Sequence, residues 1–198
     1  MCCKLIGITF VIFGSISFGI NHAYKLKKRL DNLKEIERII IYIENEIRYR
    51  QSVLCDACHN AALKSDKPFN EWLENLSYEL GYKKNFMYEN KDGYINKAGF
   101  IDNDSLINND ESFNNIWNSS LSFLRDNSYL RKSDLEELRN LGQTLGYLDI
   151  NSQEMGIKLA LKNIRSKIED YNQKLPEKIK LSLIASGVCG ILIVILFI

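Results

Sequence analysis

The two ends of this chain carry no charge. Residues 5–20, LIGITFVIFGSISFGI, and 181–198, LSLIASGVCGILIVILFI, lack Asp, Glu, Lys and Arg, while the stretch between them holds every acidic residue and every basic residue except Lys4. A helix crosses a bilayer core with about 20 apolar residues, rising about 1.5 Å with each. The second run reaches that length if it starts near Ile179; the first must include Asn21 and His22 to reach Tyr24. Both are expected to be transmembrane helices, over 1–24 and 177–198, with 25–176 as the domain between them. Lys4 before an apolar stretch also fits a cleaved signal peptide, but no small-x-small cleavage site is evident. The basic residues stand on the other side of the run, at Lys25, Lys27, Lys28 and Arg29, and Lys174, Lys178 and Lys180 precede the second run. Basic residues beside span ends mark the cytoplasmic face, so both flanks place the central domain in the cytoplasm, with only Met1–Lys4 expected beyond the membrane.

Charge and thiol content narrow the chemistry. A net charge of +1 gives no electrostatic case for binding nucleic acid. Five cysteines in a cytoplasmic or intramembrane setting are expected to be reduced thiols, not a disulfide framework. Cys2 and Cys3 offer lipidation sites in principle, but no lipoprotein processing pattern precedes them.

The central domain scans as helix throughout. Leu26, Leu30, Leu33, Ile36, Ile40, Ile43 and Ile47 recur in steps of three and four, the mark of a one-faced helix. No Gly or Pro falls between Gly19 and Pro68, so the first span is expected to continue unbroken into that helix. A thin-sided helix with Ala57, Cys58, Ala61 and Ala62 begins around Ser52. Asp66-Lys67-Pro68 opens the next, with proline suited to a first turn, Phe69, Trp72, Leu73, Leu76 and Leu80 on its buried side, and Gly81 as its stop. Residues 82–109, rich in Asn, Asp, Lys and Tyr, show no period and are expected to be a mobile loop. Phe113, Trp117, Leu121 and Leu124 restore the pattern. Ser133 with Glu136 spells a capping box for a helix that carries Leu135, Leu138, Gly142 and Leu145 on one face. Ile157, Leu161, Ile164, Ile168, Tyr171 and Leu175 form the last amphipathic helix, and Pro176 is expected to separate it from the C-terminal span. No window alternates as a strand. The expected fold class is all-α: a six-helix cytoplasmic bundle flanked by two transmembrane helices.

Two glycines stand out, four apart, in LRNLGQTLGYLDINSQ at 138–153. Each costs about 1 kcal/mol against alanine in a helix interior. Gly142 lies on the apolar face, where a missing side chain lets another backbone approach. Gly146 ends the periodic pattern and suits a left-handed C-terminal cap. Asp149 is placed to cap the following helix. The stretch therefore predicts a tight corner between two packed helices.

Catalytic signatures are weak. CDACH at 55–59 matches the C-x-x-C-H haem attachment pattern, which makes Cys55, Cys58 and His59 the rival site for a redox, haem or metal protein. Such attachment occurs outside the cytoplasm, whereas the flanking charges hold this segment inside, and the same stretch scans as a small-residue helix with buried thiols. Zinc wants four N or S ligands, and the remaining Cys and His residues belong to the membrane ends. Asp102-Asn103-Asp104 with Asn108–Glu111 lacks the central glycine and spaced glutamate of a calcium loop. There is no phosphate-binding loop or nucleophile elbow. Glu44 and Glu46, two apart on a helix, do not face each other; with Arg48 and Arg50 they are expected to form a polar face for solvent or a partner. The expectation is of a chain without enzymatic activity. Ser15 with Gly19, and Ser186 with Gly190, are small residues at helical spacing, suited to close contact between the two spans or with another subunit, including a second copy.

Several of these features occur together, and in order, in one known family. LIG near the N-terminus, a basic juxtamembrane stretch, IENEIRY at 43–49, LGQTLGYLD with Gln153, and an apolar tail after a long amphipathic helix resemble the stage III sporulation protein AB of endospore-forming bacteria. That family in turn is similar to the cytoplasmic helical domain of the inner-membrane platform protein of type II secretion and type IV pili, whose Gly-Glu-x-small-Gly-x-Leu corner joins two helices. Gly142, Gly146, Leu148 and Asp149 match that corner. Gln143 replaces the usual glutamate, which removes a hard anionic oxygen and any metal expectation there. Ser52-Val53-Leu54 stands where relatives are expected to carry a proline, and 82–109 is longer than typical. The resemblance implies a mother-cell membrane protein facing the forespore, within a transport or feeding assembly that includes a secretion-type ATPase and other membrane subunits. No cofactor is expected, and the candidate contact surface is the corner Gly142–Asp149 together with the exposed face of Glu44–Arg50. A secretion or pilus platform outside sporulation is the alternative.

Overall fold

The computed structural model describes residues 2–50, 54–82, 109–146 and 150–197, all but short connections of them helical. Six α-helices follow in order: α1 Cys2–Arg50, α2 Leu54–Ala62, α3 Phe69–Ser77, α4 Asn109–Asn127, α5 Lys132–Leu145 and α6 Ile150–Phe197. A π-helical turn, Tyr78–Tyr82, extends α3. The all-α expectation holds, and among the described residues there is no strand. The segment 83–108, expected as a loop, lies outside the described residues, as do 51–53 and 147–149.

Two compact units divide the chain: unit 1 comprises 1–32 and 167–198, and unit 2 comprises 33–166. α1 and α6 supply residues to both. As the uninterrupted pattern predicts, α1 runs from the N-terminal apolar stretch through Ile47 as one helix. The expected break at Pro176 does not occur, because that residue sits inside α6. Proline removes one backbone donor from a helix interior, and here the helix continues through it.

Unit 2 is organised by the apolar stripe of α1. Leu33, Ile36, Ile40, Ile43 and Ile47 are buried. Ala57, Cys58 and Ala61 give α2 a flat buried side, and α2 packs on α3 through Phe69, Trp72, Leu73 and Leu76. Small residues on α2 let the bulky residues of α3 lie close. Pro68 stands at the N-cap of α3, one residue before the helix. Gly81 does not stop the helix but lies within the π-turn, where an added Cβ would clash with the Cys55 thiol.

The start of α5 also departs from expectation. The helix begins at Lys132, and the reciprocal contact comes from Asp134, not from the Ser133–Glu136 pair. The Arg131 N–H donates to Asp134 Oδ2 at 2.9 Å, and Asp134 is fully buried. A side-chain oxygen that accepts from an otherwise free N–H at the start of the helix explains a polar group at that depth.

Unit 1 pairs the ends of α1 and α6. Leu26, Leu30 and Tyr171 form its buried cluster, with Ile168, Leu175 and Ile179 packed against it. Towards the apolar ends the contact is made by small residues. Ser15 Oγ donates to the Ser186 carbonyl, a Cβ on Gly19 would clash with Ser186, and a Cβ on Gly190 would stand 2.8 Å from Ser15 Oγ. His22 Nδ1 and Ser182 Oγ hydrogen-bond at 3.0 Å. Of the two partners that the Ser/Gly spacing left open, unit 1 shows the apolar ends of α1 and α6 packing on each other. Large apolar side chains point away from this contact: Phe10 is 81% exposed, and Phe13, Phe18, Ile191 and Ile195 are also exposed. By length and composition, α6 contains a stretch able to cross a membrane.

Candidate functional site

The corner between α5 and α6 is built around the side chain that Gly142 lacks. A Cβ there would stand inside the indole of Trp117, on α4. The ring is fixed from several sides. Trp117 Nε1 donates to the buried Leu138 carbonyl at 2.8 Å, and Trp72 meets the ring edge-on at a centroid distance of 5.6 Å. Trp72 Nε1 donates to Ser120 Oγ at 2.9 Å, and that hydroxyl donates to the Trp117 carbonyl at 2.7 Å. Buried indoles keep their packing value only when the N–H finds a partner, and both do.

Gly146 serves a different purpose from the one expected. Its φ of −70° and ψ of −17° are right-handed helical values, so no left-handed cap forms. Its N–H bonds to the Gly142 carbonyl at 3.2 Å, and an added Cβ would stand 2.9 Å from Phe113 Cδ1. Space for an aromatic ring, not backbone handedness, accounts for glycine here. The far side of the corner is closed by Gln153, whose Nε2 donates to the Leu145 carbonyl at 3.1 Å and so satisfies one of the free acceptors at the end of α5. Gly156 sits against Thr144 without room for a Cβ. Phe113, Trp117, Thr144 and Gly156 thus complete a corner that the motif by itself marks with two glycines. The aromatic period on 113–124 was the signal for the two rings; nothing in sequence spacing ties Gly156 to Thr144.

The expected site residues divide into three groups. Gly142 is buried and architectural, while Gln143 is exposed at the surface of the corner. Leu148 and Asp149 lie outside the described residues, as does the side chain of Arg50. On α1, Glu44 is half-buried and Arg48 exposed, but Glu46 does not belong to an open polar face. It is 5% exposed and accepts from Asn60 Nδ2 at 3.1 Å, so it joins α1 to α2. A helix stripe inferred from one side cannot show that α2 covers its flank.

The two candidate segments meet. Arg48 Nε lies 3.7 Å from Glu154 Oε1, which links the end of α1 to the residue after Gln153. Arg48 is exposed and Glu154 half-buried, at a separation long for an ion pair, so the pair contributes little to stability; its value here is positional. Around it, Tyr49 is 72% exposed and Met155 75%, and Leu159 lies one turn beyond Met155, also exposed. Sequence reasoning missed this apolar set because each residue, taken singly, falls between polar ones.

The C-x-x-C-H segment is arranged for packing. Cys58 is fully buried, and burial pushes its thiol up to about 12. Burial raises Cys55 as well, partly offset by the Ser77 hydroxyl beside its sulfur, while the S–H donates to the Ser77 carbonyl at 3.2 Å. Thioether attachment needs both sulfurs at a surface, and one of them faces the core. Among the described residues, no group of three or more His, Cys, Asp or Glu side chains is placed to hold a metal ion.

A family model described as stage III sporulation protein AB matches residues 4–90 and 101–198. The stage III sporulation protein AB of Bacillus subtilis (strain 168) is 24% identical over 193 residues, which cover 98% of each chain. A solved structure of a stage III sporulation protein AB superposes with a TM-score of 0.56 at 24% identity, covering 75% of this chain and 96% of that one. At that identity the likeness shows the fold. Residues 91–100, unmatched by the family model, fall inside the segment 82–109.

Proposed function

This chain belongs to the stage III sporulation protein AB family, and from that premise we propose that it is a membrane-held assembly component of the transport or feeding complex between mother cell and forespore. The family match over nearly the whole chain carries the proposal, and membership sets aside a platform outside sporulation. Unit 1 would lie in the mother-cell membrane around the forespore. The outward-facing Phe10, Phe13 and Phe18, the apolar length of α6, and the basic residues next to both apolar runs support that placement.

Unit 2 would stand in the cytoplasm and work through protein contacts, not catalysis. Its docking surface would be the exposed side of the α5–α6 corner at Gln143, together with Arg48, Tyr49, Met155 and Leu159. An exposed apolar group around a charged pair is the composition of an interface, in which anchors bury and a polar rim orients. The secretion-type ATPase and the other membrane subunits of the assembly are the partners that the family resemblance implies.

Two measurements test this. Cross-linking and co-purification from sporulating cells should recover the ATPase and membrane subunits, and Tyr49→Ala with Met155→Ser should lower the yield without altering the helical content. Recovery of none of them defeats the assembly role. Protease added to protoplasts should spare unit 2 until the membrane is opened, and digestion beforehand defeats the cytoplasmic placement.

A further inference from the structure

Within unit 2, α6 has two opposite faces. Ile157, Ala160, Leu161 and Ile164 are buried in the core. On the other side Ser152, Met155, Leu159, Lys162 and Ser166 follow one another in steps of three and four, and all five are exposed. That spacing keeps a stripe in line along a helix and is the seam on which a second helix packs. At its centre stand Met155 and Leu159, one turn apart, large apolar side chains that the core does not use. Anchors four residues apart are what an amphipathic helix engages, and methionine adapts its shape to whatever it meets.

Charge decides what kind of helix fits. Unit 2 is acidic overall, yet every exposed charged residue of 151–166 is basic: Lys158, Lys162 and Arg165. The carboxylates beside them lie lower. Lys158 reaches Glu154 at 3.2 Å and Arg165 reaches Glu37 at 2.6 Å; both cationic side chains are 58% exposed, against 24% for Glu154 and 26% for Glu37. The acids therefore sit on the flank towards α1, where Arg48 also meets Glu154, and the cations rim the apolar pair. Lys158 and Arg165 hold the positions beside the seam that select a partner by charge when helices pair. A second copy of this chain would bring the same three cations and be repelled. A polyanion without apolar side chains would leave Met155 and Leu159 unmatched. We propose that the Met155–Leu159 stripe of α6 takes an amphipathic helix of a partner protein, one whose apolar seam is flanked by Asp or Glu. This rests on the docking surface proposed above and names the chemistry of what that surface takes.

Three fluorescein-labelled peptides, each about three heptads long, serve as probes. One carries Leu on its seam with Glu beside it, one Leu with Lys, and one Ser with Glu. Anisotropy is read with the full chain in mild detergent. The Leu–Glu peptide is expected to bind, and each of the others at least about tenfold more weakly. Lys158→Gln with Lys162→Glu should reverse the preference towards the Leu–Lys peptide without setting a like charge against Glu154. Absence of binding by the Leu–Glu peptide overturns the proposal, and equal affinity for Leu–Glu and Leu–Lys overturns the acidic flank. Equal affinity for Ser–Glu, or displacement by a single-stranded RNA, assigns the face to polyanions at large and overturns the helix as occupant. In sporulating cells the same charge variant should lower partner recovery as Tyr49→Ala with Met155→Ser does. Unchanged recovery for the charge variant beside a loss for the apolar one overturns the acidic helix and leaves the docking surface standing. Unchanged recovery for both defeats the docking surface itself. Circular dichroism of each variant confirms that its helices are retained.

Discussion

Glycine serves the two units in opposite ways. In unit 2, Gly142 and Gly146 make room for Trp117 and Phe113, so the largest side chains fill the smallest positions and the apolar mass turns inward. In unit 1, Gly19 and Gly190 make room for Ser186 and Ser15, while Phe10, Phe13 and Phe18 turn outward. Water drives the first arrangement, because burying an indole removes much apolar surface from it. It cannot drive the second where lipid replaces water, since helices in lipid gain from close backbone contact and internal hydrogen bonds instead. Charge follows the same division. Residues 33–166 carry four more acidic than basic residues, and the flanks 25–32 and 167–180 carry four more basic than acidic. The lesson is that one residue type, at one helical spacing, serves a knob-and-hole core in unit 2 and a close helix contact in unit 1.

Substitutions can break or sharpen this contrast, and both tryptophans lie in unit 2, so fluorescence follows that unit by itself. The largest effect is expected for Trp117→Ala, which empties the space over Gly142 and leaves the Leu138 carbonyl without its donor. A loss of about 3–5 kcal/mol is expected in urea unfolding of the full chain followed at Trp72. Next is Gly142→Ala, which forces a methyl into the indole and should cost about 1–3 kcal/mol by the same measurement. A neutral outcome would mean that Trp117 moves freely and that the corner is not a packed joint.

Ser15→Ala removes one interhelical hydrogen bond in unit 1 and should cost about 0.6–2 kcal/mol. It is expected to leave the tryptophan transition unmoved and to show only in the detergent-dependent melting of total helicity. If the tryptophan transition shifts as well, the two units are not energetically separate. Gln143→Ala should change stability by less than about 0.5 kcal/mol, yet lower partner recovery if the corner is a docking surface.

The smallest effect concerns Cys58, where the sign follows from linkage. Its folded value of about 12 lies above the unfolded 9.0, so the stabilisation is whole below pH 9 and is lost as pH rises towards 12. At neutral pH, Cys58→Ala is expected to show only the loss of a small buried sulfur, whereas above pH 9 the variant should lose less stability than the native chain. Iodoacetamide labelling at pH 8 should spare Cys58 until the protein is denatured.

Much of the fold was legible because helical periodicity is a local property. The stripe from Leu26 to Ile47 gives one face of α1, and the absence of Gly and Pro before Pro68 gives its continuity. Pro176 misled because a single missing donor is a local penalty that a long, packed helix absorbs. Glu46 misled because polarity tells which groups need partners, not whether water or Asn60 supplies them. Gly146 misled because space and backbone handedness both select glycine, and only the position of Phe113 distinguishes them.

By itself the sequence determined what is additive along the chain: helices from period, charge-free ends from composition, and a corner from two glycines in LGQTLG. Only the tertiary structure decided what depends on pairs of residues far apart. Trp117 over Gly142, Ser15 against Ser186, Arg48 beside Glu154, and Arg29 over Tyr171 are all of that kind. Their energies arise from distance and exclusion of solvent, and neither quantity exists until the helices have packed.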